Sequence, residues 1–278
     1  MPVVAIIGAG DIGGAVARAL TMRARVESVR LIDDNGDIAS GKALDLMQSA
    51  AVARSDTRID GGRGLAEAAG AAVIVLADAA TGTDEDGRAL ALLRKVRGGG
   101  IERSIVVCAA PGHGAAMQQA FDEWSLPRRR VLGSAPEALA STARALVAVE
   151  AKAAVNQVAL TLIGRPGRFL VPWSDASVCG HGAVSMLSAP QLRRIEHRLS
   201  GLWPPGPNAL GMAAASFCEA IVQGSRRIFS AFVALDRDNG TRAPVCAWPV
   251  SVGPTGLERV TRPVLSSRDQ IVVDEVLQ

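Results

Sequence analysis

Apolar residues in the first half of the chain fall into short unbroken runs, and each run gives way to a segment with helical spacing. Residues 3–8 form the first run and end in glycines; residues 12–22 then place apolar positions on one helical face. The same alternation returns in the run 28–33 and the helical segment 42–52. Two further wholly apolar runs, 72–77 and 104–109, each lead through turn residues into helical spacing. Strands without polar alternation are buried on both faces, so this pattern predicts a parallel sheet with helices packed on both sides.

Beyond about residue 134 the rhythm changes. Residues 137–148 are strongly helical, and an apolar run at 158–163 reads as one buried strand that empties into Gly164-Arg165-Pro166-Gly167-Arg168. Helical spacing follows at 191–202 and 209–223. Runs at 228–235, 245–252 and 259–264 then read as an antiparallel group, with Asn239-Gly240 as a hairpin turn. A last helix is expected over 267–277. The division implies two units, residues 1–134 and 135–278, with a ligand bound at their seam.

Composition narrows the class. Of 278 residues, 49% are hydrophobic and 21% charged, a balance that excludes a disordered chain. No run of about 18 apolar residues suggests a membrane span, and the chain opens directly on a strand, so a cytoplasmic protein without signal or anchor is expected. A net charge of +3 is too mild to indicate nucleic acid. Arg128-Arg129-Arg130 has no interleaved aromatic residue and reads as a solvated loop. Cys108, Cys179, Cys218 and Cys246 are far apart with no CxxC, the pattern of reduced structural thiols. Three scattered histidines offer no metal-ligand spacing.

The chemistry-bearing motif is Gly8-Ala9-Gly10-Asp11-Ile12-Gly13, a GxGxxG placed between a strand and a helix. Its first glycine permits a tight turn, its second lets a pyrophosphate approach the backbone, and its third brings helix against strand. Asp33 stands 20 residues after Gly13, at the end of the second strand, where a carboxylate can accept both ribose hydroxyls and would repel a 2′-phosphate. NAD is therefore expected over NADP, held by Gly8, Gly10, Asp11, Ile12, Gly13 and Asp33. Gly36-Asp37-Ile38-Ala39-Ser40-Gly41-Lys42-Ala43 imitates an ATP-binding loop, but Ala43 replaces the hydroxyl that would hold magnesium.

GAGDIGG, LIDD and GKALDL in this order resemble the lactate/malate dehydrogenase family. The resemblance continues through Arg130-Val131-Leu132-Gly133, Val171-Pro172-Trp173-Ser174 and Trp248-Pro249-Val250, and so covers nearly the whole chain. It implies an α/β fold, a Rossmann-type doubly wound parallel sheet followed by a mixed α/β substrate domain, assembled as a homodimer or homotetramer. It also implies a site in which a His takes the alcohol proton, an Asp orients that His, an Arg grips the substrate carboxylate, an Asn positions the substrate and an arginine-bearing loop closes over it.

The family's motifs, laid on this sequence, lack those groups. Pro166 stands at the place of the histidine, Leu139 at that of the aspartate and Thr142 at that of the fixed arginine; Ala110-Pro111 replaces the Asn-Pro pair, and the closing loop after the fourth strand is missing. Substitutes are few. His113 follows the fifth strand near the nicotinamide end of the crevice and is a candidate base or ligand contact. Arg144, Arg165 and Arg168 are candidate anion contacts, whereas His181 and His197 read as surface residues.

Three readings stay open: an NAD-binding protein that has lost 2-hydroxyacid oxidoreduction, an active oxidoreductase on another small substrate using His113 or a bound water, and a structural homo-oligomer with a vestigial glycine turn. The absence of tyrosine excludes the short-chain dehydrogenase mechanism.

Overall fold

The computed structural model describes residues 2–81, 85–98, 103–124, 126–236 and 242–277. The first half alternates β1 (Val3–Ile7), α1 (Asp11–Arg23), β2 (Ser28–Ile32), α2 (Gly36–Val52), β3 (Arg58–Gly62), β4 (Val73–Leu76), α3 (Glu85–Gly98), β5 (Ile105–Cys108), α4 (His113–Glu123) and β6 (Val131–Gly133). Strands β3-β2-β1-β4-β5-β6 lie side by side in that order, all parallel, as the buried apolar runs require. Every residue of β4 and β5 is buried.

The second half opens with α5 (Ala135–Ala151), then β7 (Val158–Ala159), β8 (Ile163–Arg165), β9 (Arg168–Leu170), β10 (Ser177–Val178) and β11 (His181–Gly182). It continues with α6 (Ala183–Met186), α7 (Ala189–Ser200), α8 (Pro207–Gln223), β12 (Ile228–Asp236), β13 (Arg242–Gly253), β14 (Gly256–Val260) and α9 (Ser267–Leu277). Strand β12 joins the edge of β6 in antiparallel sense, Phe232 opposite Gly133, and β13, β8 and β9 extend the same sheet. The sheet is thus continuous across residue 134. One core cluster runs through both halves, with Ile6 and Leu20 from the first and Phe217, Phe229 and Phe232 from the second. A second cluster, including Leu139, Val147, Leu162, Trp173 and Ile195, lies under α7 and the small sheet β11-β10-β7.

Four features depart from the sequence pattern. Strand β3 was not expected because it is an edge strand with Ile59 as its one fully buried side chain, and an edge needs no apolar run. Strand β6 is only three residues long. Helix α2 starts at Gly36 rather than at 42, because the side chain of Asn35 accepts from the Ile38 N–H and nucleates it there. The segment that imitates an ATP-binding loop is therefore helical. The expected strand 158–163 is divided: Val158 and Ala159 pair with β10 in the small sheet, while Ile163 begins β8 in the large one. At the crossing, the buried Leu162 N–H donates to Ser230 Oγ at 2.9 Å. The expected hairpin turn Asn239-Gly240 lies outside the described residues.

Gly164-Arg165-Pro166-Gly167-Arg168 is the β8–β9 hairpin, with Arg165 opposite Arg168 and Gly164 opposite Phe169. Pro166 and Gly167, the latter at φ +82, fill the two central positions that a type II turn assigns to proline and glycine. Gly164, at φ +126, has a different constraint: a Cβ there would lie 2.1 Å from the Arg168 carbonyl oxygen. Gly164→Ala is expected to cost about 2–4 kcal/mol in urea unfolding. Gly167→Ala meets no atom within 4 Å and is expected to cost only the left-handed backbone strain, about 1–2 kcal/mol.

Candidate functional site

Open parallel sheets bind ligands beyond the carboxyl ends of their strands, where β1, β2, β4 and β5 each end in a turn. The β1–α1 turn is shaped by its glycines. Gly8 adopts φ +117, and a Cβ on Gly13 would lie 1.9 Å from the Gly8 carbonyl oxygen, so that side chains at either position would push helix from strand. The Gly8 N–H donates to the Ile32 carbonyl and the Gly10 N–H to the Asp78 carbonyl, which fastens the turn to the ends of β2 and β4.

The side chain of Asp78, two residues past β4, occupies the start of α1. Its Oδ2 accepts from the N–H groups of Asp11 at 2.7 Å and Ile12 at 3.1 Å, and its Oδ1 from that of Gly13 at 2.9 Å. These are the orphan donors of the first helical turn, where a carboxylate is also favoured by the helix dipole. Gly10, the helix N-cap, supplies no side-chain cap of its own. Lys42 of α2 reaches the same turn from the other side, its Nζ donating to the carbonyls of Ala9 at 2.6 Å and Gly10 at 3.0 Å.

Asp33 is 2% exposed and also faces inward. Its Oδ2 accepts from the N–H groups of Ala9 at 2.8 Å and Ala80 at 3.0 Å, and its Oδ1 from that of Asn35 at 2.9 Å. Burial pushes its pKa up, but the three backbone donors and the Arg88 guanidinium outweigh burial and hold the carboxyl below its ordinary value. Arg88, on α3, donates to the Ala77 carbonyl and comes within 3.9 Å of Asp33 Oδ2.

His113, the first residue of α4, closes the far side and is 3% exposed. Burial above all, assisted by the Arg88 charge and opposed by that of Asp78, pushes its pKa down to about 4. The imidazole is therefore neutral at pH 7. Nδ1 accepts a long hydrogen bond from the Ala110 N–H at 3.4 Å, which leaves the proton on Nε2.

The structure thus brings Gly8, Gly10, Asp11, Ile12, Gly13 and Asp33 together, with His113 in the same crevice. It turns Arg144 and Arg168 to other partners. Arg144 donates to buried Glu137 at 2.8 Å, and Arg227 bonds the same carboxylate oxygen at 3.1 Å. Arg168 is 65% exposed and pairs with Glu275 at 3.6 Å. Arg165 lies along β13, where its charge reaches Cys246. Pro166 is at an exposed hairpin tip, Leu139 is buried in the second core cluster, and Thr142 Oγ1 bonds back to the Ala138 carbonyl. His181 and His197 are exposed. Burial pushes the thiols of Cys108 and Cys246 up, to about 12 and about 11, so neither is a nucleophile at neutral pH. Among the described residues no group of three or more His, Cys, Asp or Glu could hold a metal ion.

The sequence pattern does not distinguish Asp78 or Arg88, and Lys42 stands out in it only within the imitation of an ATP-binding loop. One signal was available for Asp78: an acidic residue immediately after a fully buried strand, neighbour to the strand that carries GxGxxG.

Tested against a dinucleotide, the turn and its helix have the right backbone form. The residues as they stand nevertheless do not fit a pyrophosphate, because Asp78 already accepts from the three amides that would hold it, and Asp33 has spent both oxygens on backbone donors.

This architecture, a six-stranded parallel sheet with a glycine turn at β1–α1 and an antiparallel extension, is of the malate and lactate dehydrogenase kind. No protein-family model matches the chain. Its homologues and structural neighbours are malate and lactate dehydrogenases: it is 28% identical to a malate dehydrogenase of Sorangium cellulosum (96% of this chain, 91% of that one) and 25% identical to one of Cytophaga hutchinsonii (98% and 93%). Its fold superposes with a TM-score of 0.88 on the lactate dehydrogenase of Cryptosporidium parvum complexed with lactic acid and nicotinamide adenine dinucleotide, at 20% identity over 99% of this chain and 94% of that one. The malate dehydrogenase of Aeropyrum pernix gives the same TM-score, identity and coverage.

His113 yields a pH prediction. Its folded pKa, about 4, lies below the ordinary 6.5, so the unfolded chain binds the proton first and stability falls as pH drops from 6.5 toward 4. The loss attributable to His113 is on the order of 2–3 kcal/mol. Denaturant unfolding of His113→Gln at several pH values is expected to show that slope diminished by this amount.

Proposed function

We propose that this chain is a malate/lactate dehydrogenase-like protein that has lost the ordinary oxidoreduction of 2-hydroxyacids. The carrying observation is the absence of a proton acceptor and a carboxylate clamp from the positions where the resemblance expects them. Pro166, Leu139 and Thr142 stand there, and none titrates near neutral pH. Oxidising an alcohol by hydride loss needs a place for the hydroxyl proton, and general-base catalysis of that step contributes roughly 10²–10⁴ in rate. Of the nearby cations, Arg144 is paired with the buried Glu137, and Arg168 lies on an exposed hairpin beside Glu275, which supports the reading that neither replaces the clamp.

His113 supports the same reading. A buried imidazole with a pKa of about 4 is a weak base at neutral pH, which argues against the alternative of an oxidoreductase built around it. NAD rather than NADP is the ligand whose glycine turn and terminal β2 carboxylate the crevice retains, although Asp33 and Asp78 here give their oxygens to backbone amides. We also carry a homodimer or homotetramer in this proposal, supported by apolar side chains left exposed on α2 and α8, among them Leu44, Met47 and Met212.

Two measurements test these points. NADH absorbance followed with oxaloacetate or pyruvate is expected to show no turnover above the buffer rate; robust turnover of either would overturn the loss of activity. Sedimentation equilibrium is expected to return two or four times the chain mass of 28.7 kDa, and a monomer would remove the assembly from the proposal.

A further inference from the structure

We propose that Asp78 is an internal anion that occupies the pyrophosphate position of the crevice and keeps dinucleotides out. The inference rests on the reading of this crevice as a dinucleotide site.

The first-turn donors of α1 are all consumed. Asp11, Ile12 and Gly13 give their N–H groups to Asp78, and Gly14 gives its own to the Gly10 carbonyl. No amide is left to point at a phosphate. The space opened by the second glycine is used as well: a Cβ on Gly10 would lie 2.3 Å from Asp78 Oδ2. In a dinucleotide turn that missing side chain admits the pyrophosphate, and here it admits a carboxylate of the same chain.

The surrounding groups are arranged for this internal ligand. Asp33 is turned onto backbone amides and is 2% exposed, so a ribose cannot reach it without rearrangement. Lys42 holds the carbonyls of Ala9 and Gly10 instead of projecting toward a phosphate. Three carboxylates, Asp33, Asp34 and Asp78, stand here against two cations, Lys42 and Arg88, the latter 3.9 Å from Asp33 and 3.8 Å from Asp34. A pyrophosphate would add two negative charges to a set already short of cations and bring them against Asp78. A ligand must therefore displace Asp78, and its apparent dissociation constant rises by the inverse of the fraction of molecules in which Asp78 is withdrawn.

The test compares the 278-residue chain with its Asp78→Ala and Asp78→Asn variants by calorimetric titration with NADH and with inorganic pyrophosphate, alongside thermal melting. The parent is expected to show no saturable binding of either probe at millimolar concentration. Asp78→Ala is expected to bind both about tenfold or more tightly than the parent, and pyrophosphate is expected to raise its melting temperature but not that of the parent. Equal NADH binding by parent and variant overturns the proposal and leaves the dinucleotide crevice standing. Pyrophosphate binding by the variant without NADH binding upholds the internal anion and overturns the NAD reading. Binding of neither probe overturns both. Should Asp78→Ala fail to fold, Asp78→Asn, which keeps the volume and drops the charge, is expected to gain pyrophosphate affinity; no gain there overturns the proposal.

Discussion

The carboxylate of Asp78 against the first turn of α1 is the contact on which the arrangement of the amino-terminal half depends. One side chain satisfies three helix-end donors, and its own backbone carbonyl receives the Gly10 N–H. It thereby binds the end of β4 to the turn that leaves β1. A helix end left without such partners is costly, and the dinucleotide-binding versions of this architecture rely on ligand for part of that satisfaction. This chain supplies the anion itself.

The same self-sufficiency recurs wherever the resemblance leads one to look for chemistry. The arginine near the carboxylate clamp is neutralised by buried Glu137, which also accepts from the Ser230 N–H. The hairpin that carries Pro166 in place of a histidine is a compact two-residue turn. The histidine in the crevice is desolvated and neutral. Glu137 and Arg144 satisfy one another, and a satisfied group has less to offer a substrate. The crevice keeps an exception: the Arg88 Nε–H is buried without a hydrogen-bond acceptor among the described residues.

The parallel sheet was legible from the sequence because burial on both faces demands uninterrupted apolar runs, and β1, β2, β4 and β5 carry them. What escaped was whatever that demand does not govern. Strand β3 lies at the edge, β6 is too short for a pattern, and the start of α2 is set by the side chain of Asn35 rather than by apolar spacing. The glycine turn was legible because φ +117 at Gly8 and the close approach at Gly13 exclude other residues. That Asp78 would lie in the turn was not legible, since the contact joins residues 65 to 67 positions apart and leaves no local periodicity. Asp33 illustrates the limit: its position at the end of β2 follows from the sequence, whereas the direction its side chain faces depends on Ala80, which belongs to another loop.

The continuity of the large sheet across residue 134 bears on motion. Two-lobed enzymes commonly admit ligands by rotating one lobe against the other about a hinge. Here Phe232 is laddered to Gly133, and α8 packs on α1 within a shared core that also holds Phe217 and Phe229. Bending between the halves would tear a hydrogen-bonded strand pair and open apolar surface. Access to the crevice is left to rotations of side chains and shifts of single loops, so the molecule can change what it admits without changing its shape.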